Sequence, residues 1–524
     1  MIHQLLKELE PLDQLSEWAQ FKQAVLSANI NCEQTVILDA AGLKVDLSAQ
    51  RRSTELSQAA TKLLEARKFE PLRQALFDGE HLNSTEDRAA WHTMLRQPQP
   101  LMEVQSERLR MLELVRRVDN DRRWRNIVHI GIGGSDWGVR LVTQAFGYAG
   151  SWRHIRFVSN IDGHAIEGGL AGLDPHDTLV VVATKSFRTA ETMENAARAR
   201  EWFEAAGVNP GNNMIAVTAN PEAAAAWGIP RHHIYRFWDW VGGRFSLWST
   251  IGVAAGLTVG SGVLAGLQSG AHAMDRHFLT APPEENAPIQ LALAELANRS
   301  VLGYGSRNLA IYDSRLSYLI PYLQQLEMES LGKSVDHQGR PIHVATGPVV
   351  WGMPGTDAQH TFFQWLHQSS EGAPVDFIVC KTADHQWQQH HQQLLAHCLA
   401  QRQALLHGKS TAQAEAENLQ KGMAPEQAQW LAHHRKQPGG RASNLIVLPQ
   451  LTPFSLGALL AMYEHKVFVE ALIWGLNPFD QWGVELGKVL ADDIFERLSK
   501  DSSQPHKPLE LDRSTQYWIE QFKA

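Results

Sequence analysis

A chain of 524 residues that is 44% hydrophobic holds enough apolar material for two or more buried cores, so folding needs no disulfide or metal staple. A formal net charge of −8 and a pI near 6.3 exclude whole-protein attraction to nucleic acid or an anionic membrane, leaving room for a local basic pocket. Cys32, Cys380 and Cys398 are widely separated with no C-x-x-C spacing, which excludes a zinc or dithiol motif and fits small thiols in a reducing compartment.

The opening MIHQLLKELEPLDQLSEWAQ carries acidic residues early and no apolar leader run, so the cytoplasm is the expected location. From residue 1 to about 110, Leu, Ala and Arg recur at helical period, which predicts a wholly helical segment packed on the body. The texture then changes to short β-branched runs, NIVHIGI, HIRFVSN, DTLVVVAT and MIAVTAN, with AETMENAARAREWFEAAG as an intervening helix. Such alternation predicts β-α-β units and a mostly parallel sheet sandwiched between helices, over residues 111–275. Phe245 to His272 lacks formal charge and is long enough to span a bilayer, but its Gly, Ser and Thr content and missing Lys-rich flanks predict a buried helix and turn.

A second series, RNLAIYD, VDFIVC and SNLIVLPQ, predicts a second α/β domain over 276–500, with 501–524 as a carboxy-terminal extension. The Gln- and His-rich tract from His385 to Gln437 reads as surface helices, and NPFDQWGVELGKVLADDIFERLSK as a late helix packed back on the body. No short internal repeat is visible.

Ligands of open parallel sheets sit beyond the carboxyl ends of strands, where small and polar residues follow two of these runs. In GIGGSDWG, the dinucleotide spacing from Gly131 requires glycine at Asp136, and no Gly-Lys-Ser/Thr follows for a P-loop. A phosphate site of another kind, with Gly134 and Ser135, stays open beside a simple turn. TKSFRTAET offers hydroxyls from Thr184, Ser186, Thr189 and Thr192 and charge from Lys185 and Arg188 at a helix start, a fitting receptor for a phosphate dianion or a plain N-cap. Arg244 follows Gly242 and Gly243, placed to stabilise an oxyanion or to pair with a buried carboxylate. Glu329 lies four residues after Gln325, on one helical face with it. His360 and Lys488 also read as a core histidine and a helix C-terminal cation, and Gln481 lies two helical turns before Lys488 on roughly the same face. The adjacent pairs His390/His391 and His433/His434 point apart on a helix, so no metal is assigned to them. Composition and spacing alone lead to an α/β protein that binds a phosphorylated small molecule.

Taken together, GIGGSDWG, ATKSFRTAETM, VGGRFSLWS, QQLEMESLGK, PGTDAQHTFFQWLHQ and YEHKVFVEALIWGLNPFDQWGVELGK occur in order and resemble the phosphoglucose isomerase family. The resemblance implies two sugar-isomerase domains, a homodimer with active sites near the subunit interface, and no cofactor or metal. It implies that Gly134, Ser135, Thr184, Lys185, Ser186 and Thr189 hold the sugar phosphate, with Gly243, Gln325 and Gln481 as further substrate contacts. Glu329 would carry the proton between C2 and C1, Arg244 would stand beside the enediolate, and His360 and Lys488 would open the sugar ring. Arg188, Leu331, Asp357 and Pro478 depart from the residues usual in the family. Rival readings are a related ketose-aldose isomerase that also takes mannose 6-phosphate, a non-catalytic sugar-phosphate regulator and, against the failed glycine spacing, a dehydrogenase.

Overall fold

A computed structural model describes residues 2–30, 34–148, 150–151, 153–499 and 510–523. Cys32 lies outside the described residues; Cys380 and Cys398 are buried free thiols. Two early strands, β1 (Ile37–Ala40) and β2 (Leu43–Ala49), precede β3 (Asn126–Ile130), β4 (His154–Val158), β5 (Thr178–Ala183), β6 (Met214–Thr218) and β7 (Ile234–Arg236). The last five form a parallel sheet in the order β4-β3-β5-β6-β7. Every residue of β5 and β6 is buried, because helices cover both faces of the sheet. Val128, Ile130, Val180 and Val182 share one core with Ala196, Ala199 and Phe203 of helix Ala190–Ala205, as alternation along two neighbouring strands requires. The chain leaves β3 to one side for β4 and crosses back to the other for β5, so the end of β3 is a topological switch point.

The second sheet contains β8 (Ser306–Tyr312), β9 (Val349–Pro354), β10 (Val375–Cys380) and β11 (Ser443–Leu448), in the order β9-β8-β10-β11-β2-β1. Its first four strands are parallel, whereas β2 pairs antiparallel with β11, and β1 with β2. The expectation of a wholly helical amino-terminal segment is therefore corrected. In LKVDLSA the residues Leu43, Val45, Leu47 and Ala49 are buried in strict alternation, a period-two pattern set in helical text. The hairpin occupies the hydrogen-bonding edge that β11 would otherwise leave open.

Helix Pro453–Trp474 is buried on all sides from Ser455 to Trp474. It starts at a reciprocal Thr452–Ser455 capping box and stops at left-handed Gly475. Helix Ser261–Thr280 crosses it through glycine: a Cβ on Gly270 would lie 1.8 Å from the Phe454 carbonyl oxygen, and one on Gly457 2.0 Å from that of Leu267. The uncharged stretch from Phe245 to His272 is thus turn and helix, buried from Phe245 to Thr258, while the following helix leaves Gly262, Ala265 and Ser269 exposed. No described helix is long and apolar enough to cross a membrane.

The chain divides into two compact units after Pro478, and both sheets belong to the first. The second unit contains the turn Trp482–Val484 and helices Glu485–Leu498 and Arg513–Lys523, which pack on each other. As a structural unit the carboxy-terminal extension starts at Phe479, earlier than the expected residue 501.

Candidate active site

Buried β3 ends in the turn Gly131–Asp136. Gly131 lets this turn approach β5: a Cβ there would lie 3.1 Å from the Ala183 carbonyl oxygen. Gly133 has φ +58°, a backbone region open to glycine, and a Cβ on it would lie 3.0 Å from Gln325 Nε2. At Gly134 contact is backbone to backbone, since a Cβ would fall 2.1 Å from the Gly243 carbonyl. Ser246 Oγ donates to the Gly134 carbonyl at 3.2 Å. Beneath the turn, His129 Nε2 donates to the Ser135 carbonyl at 2.6 Å, and burial pushes the imidazole down to about 4, so the ring is neutral.

The loop after β5 folds on itself. Thr184 and Thr189 hydroxyls lie 2.9 Å apart, and the Arg188 N–H donates to Ser186 Oγ at 3.2 Å. Phe187, left-handed at φ +52° and buried against Trp227, anchors the loop, while Ser186 and Arg188 stay exposed. Helix Ala190–Ala205 begins directly after Thr189, so its positive end faces this cluster of hydroxyls. Lys185 turns elsewhere. Its ammonium donates to the carbonyls of Asp239 at 2.6 Å and Val241 at 3.0 Å, clasping the segment that leads into Gly242–Arg244. Burial, reinforced by the Arg88 charge, brings this amine down to about 8.

Glu329 ends the π-helical turn Gln325–Glu329 that continues helix Leu319–Gln324. One carboxylate oxygen lies 3.3 Å from Arg244 Nη1, and the other accepts from Gln325 Nε2 at 2.9 Å, so the expected shared face is present. Arg244 is 3% exposed; its Nε donates to Ser330 Oγ at 2.7 Å and its Nη2 to the Pro478 carbonyl. The Glu329 side chain is 24% exposed. The arrangement is a reachable carboxylate beside an immobilised guanidinium, next to a glycine turn at a switch point.

The π-helical turn that carries Glu329 also supplies a residue, Glu327, to a second charged group, buried throughout. Glu327 accepts from Arg307 and, at 3.1 Å, from Lys466. Arg307 also meets Glu295 and Asp376, and Lys466 meets Glu470 at 2.6 Å. Two cations thus serve four carboxyls, and burial pushes Glu470 up to about 8, so it keeps its proton at neutral pH.

His360 is exposed at the end of the short helix Gly355–Gln359 that follows β9. Among the described residues no hydrogen bond or ion pair joins it to Glu329, and its reading as a core histidine is corrected. Gln481 and Lys488 belong to the second unit. Lys488 lies in the first turn of helix Glu485–Leu498, paired with Glu485 at 2.9 Å, and is no C-terminal cation. Gln481 precedes that helix in a non-helical conformation, so the two share no helical face; the proline and glycine around Phe-Asp-Gln-Trp break the helix the spacing assumed.

Ser330 and the Pro478 carbonyl as clamps on Arg244, and His129 as the support beneath the glycine turn, were not read from the sequence. The available signals were modest: Ser330 adjoins Glu329, and His129 interrupts an apolar strand. Among the departures, Leu331 is fully buried, Asp357 is exposed, and Pro478 serves through its main-chain oxygen, which proline retains.

The family described as phosphoglucose isomerase matches residues 46–519. A glucose-6-phosphate isomerase of Bordetella pertussis is 52% identical over 518 residues, covering 98% of this chain and 99% of that protein. One from Ectopseudomonas mendocina is 41% identical over 515 residues, covering 94% and 92% respectively. The crystal structure of a glucose-6-phosphate isomerase from Chlamydia trachomatis superposes with a TM-score of 0.84 at 29% identity, covering 98% of this chain and 99% of the other. By sequence over nearly its whole length and by fold, the chain belongs to the phosphoglucose isomerase family.

Proposed function

We propose that this protein interconverts glucose 6-phosphate and fructose 6-phosphate, in glycolysis and gluconeogenesis in the cytoplasm, using side chains alone. The observation that carries the reading is the Glu329 carboxylate held between Gln325 and the buried Arg244. The turn of Gly134 and Ser135 and the hydroxyls of Thr184, Ser186 and Thr189 hold the phosphate at the helix start. Lys185, its ammonium committed to two carbonyls, serves this cradle through its main chain. Gly243 leaves open the space a side chain would take, consistent with substrate passing close to its backbone.

Ring opening delivers a proton to the ring oxygen and removes one from the anomeric hydroxyl, work suited to His360 and Lys488, with Gln481 among the substrate contacts. Glu329 then takes the C2 proton of the open aldose while the C1 carbonyl oxygen gains the charge of a cis-enediolate. Arg244 stabilises that charge. Returning the carbon-bound proton to C1 and moving the remaining hydroxyl proton from O2 to O1 leaves the ketose, with atoms balanced. The reading includes a homodimer with active sites near the subunit interface. It also takes 111–275 as the first sugar-isomerase domain and the chain from 276 to the end of the first unit at Pro478 as the second. The test is a coupled assay of purified protein with fructose 6-phosphate, run in parallel with mannose 6-phosphate. Glucose 6-phosphate formed from the first is expected, and activity persists in a strong chelator; no product from either sugar would favour the non-catalytic regulator.

A further inference from the structure

On the surface of the first unit, three side chains distant in sequence converge. His3 Nε2 and His81 Nδ1 approach the same oxygen of Asp87, at 3.1 and 3.0 Å, and the three potential ligand atoms lie within 4.8 Å of one another. Two tetrahedral zinc ligands, each about 2.0–2.1 Å from the metal, stand roughly 3.3 Å apart, so small side-chain shifts suffice to seat an ion. The supports are ordered. Ile2 and Leu6 are buried, which fixes helix Ile2–Lys7 and the side on which it presents His3. Asp87 sits at φ +47° in a tight turn closed by the Asn83–Arg88 backbone pair and braced by Glu86, which accepts from Asn83 and pairs with Arg88.

We propose that His3, His81 and Asp87 form a surface site for one divalent transition-metal ion of the zinc class, stapling the amino-terminal helix to the 81–88 turn. Two imidazoles and a carboxylate suit such an ion, each ring carrying its proton on the other nitrogen and solvent completing the shell. The site is independent of the isomerase reading and takes no part in its chemistry. It has a structural consequence, because Arg88 of the stapled turn reaches the Asp239 carbonyl at 3.4 Å, the same oxygen that accepts from Lys185. Local spacing could not reveal it, since its ligands come from positions 3, 81 and 87.

The test is calorimetric titration of the chelator-treated full chain with zinc chloride, beside His3→Gln, His81→Gln and the double variant. These exposed substitutions preserve the fold, which circular dichroism checks, and the other surface histidines stay common to all four proteins. We expect one zinc per chain in the wild type, affinity at least about tenfold weaker in each single variant, and loss of that phase in the double variant. Zinc should raise the melting temperature of the wild type and leave that of the double variant unmoved. Indistinguishable isotherms, or no uptake by the wild type, would overturn the site; uptake without a rise in melting temperature would overturn the stapling.

Discussion

Glu327 and Glu329 stand two residues apart on one π-helical turn and live in different media. Glu327 is fully buried and meets Arg307 and Lys466, whereas the Glu329 side chain is 24% exposed and meets Arg244 and Gln325. A carboxylate enclosed by cations holds structure, because removing it strands charges in a poorly screening interior. One that solvent reaches, with an arginine already fixed by other partners, remains available to a substrate. Burial therefore separates the structural acid from the proposed chemical one, although both belong to the same LEMES run.

The largest expected effect is on turnover. Glu329→Gln should lower kcat by about 10³-fold with sugar-phosphate binding nearly intact; near-normal kcat in the coupled assay would remove Glu329 from the role of base. Glu327→Gln should do the reverse, costing about 3–5 kcal/mol of stability in urea unfolding, whereas Glu329→Gln should leave the midpoint almost unmoved. Equal midpoints for the two variants would erase the distinction.

The phosphate cradle comes next. Thr184→Val removes a buried hydroxyl paired with Thr189 and should raise KM roughly tenfold, the scale of one hydrogen bond to a charged group, with little change in kcat. A pH experiment sharpens the buried side of the contrast. With Glu470 raised from 4.5 to about 8, the folded protein holds a proton that the unfolded chain releases across that window. Stability tied to this proton is complete below 4.5 and is lost as pH rises through 8. Glu470→Gln should flatten the decline in unfolding free energy over that range, and an unchanged slope would place the proton elsewhere. The smallest effect is expected of Arg188→Thr: the residue is exposed, so KM should change less than about fivefold, and only at low salt.

Much of the molecule was legible without coordinates. The β-branched runs that became β3, β5, β6, β8, β10 and β11 stand out because strands of a covered parallel sheet are apolar throughout. The Gly131 turn and the Gln325–Glu329 pair were equally visible, since strand-end glycines and four-residue helical spacing are local properties. The antiparallel β1–β2 hairpin escaped because its alternation is short and becomes meaningful only against the edge of β11. The helical face assigned to Gln481 and Lys488 failed because spacing alone does not show where a helix begins.

The sequence by itself determined the class of fold, the family motifs and the chemical types at the candidate site, because strand pattern, glycine turns and residue chemistry are carried by neighbouring positions. Only the tertiary structure decided which charges meet. It turned Lys185 toward the Asp239 and Val241 carbonyls, set Arg244 against Glu329, buried Glu327 of the same turn against Arg307, and gathered His3, His81 and Asp87 on the surface. Desolvation and ion pairing act through space at a few ångströms, and distance along the chain does not encode them.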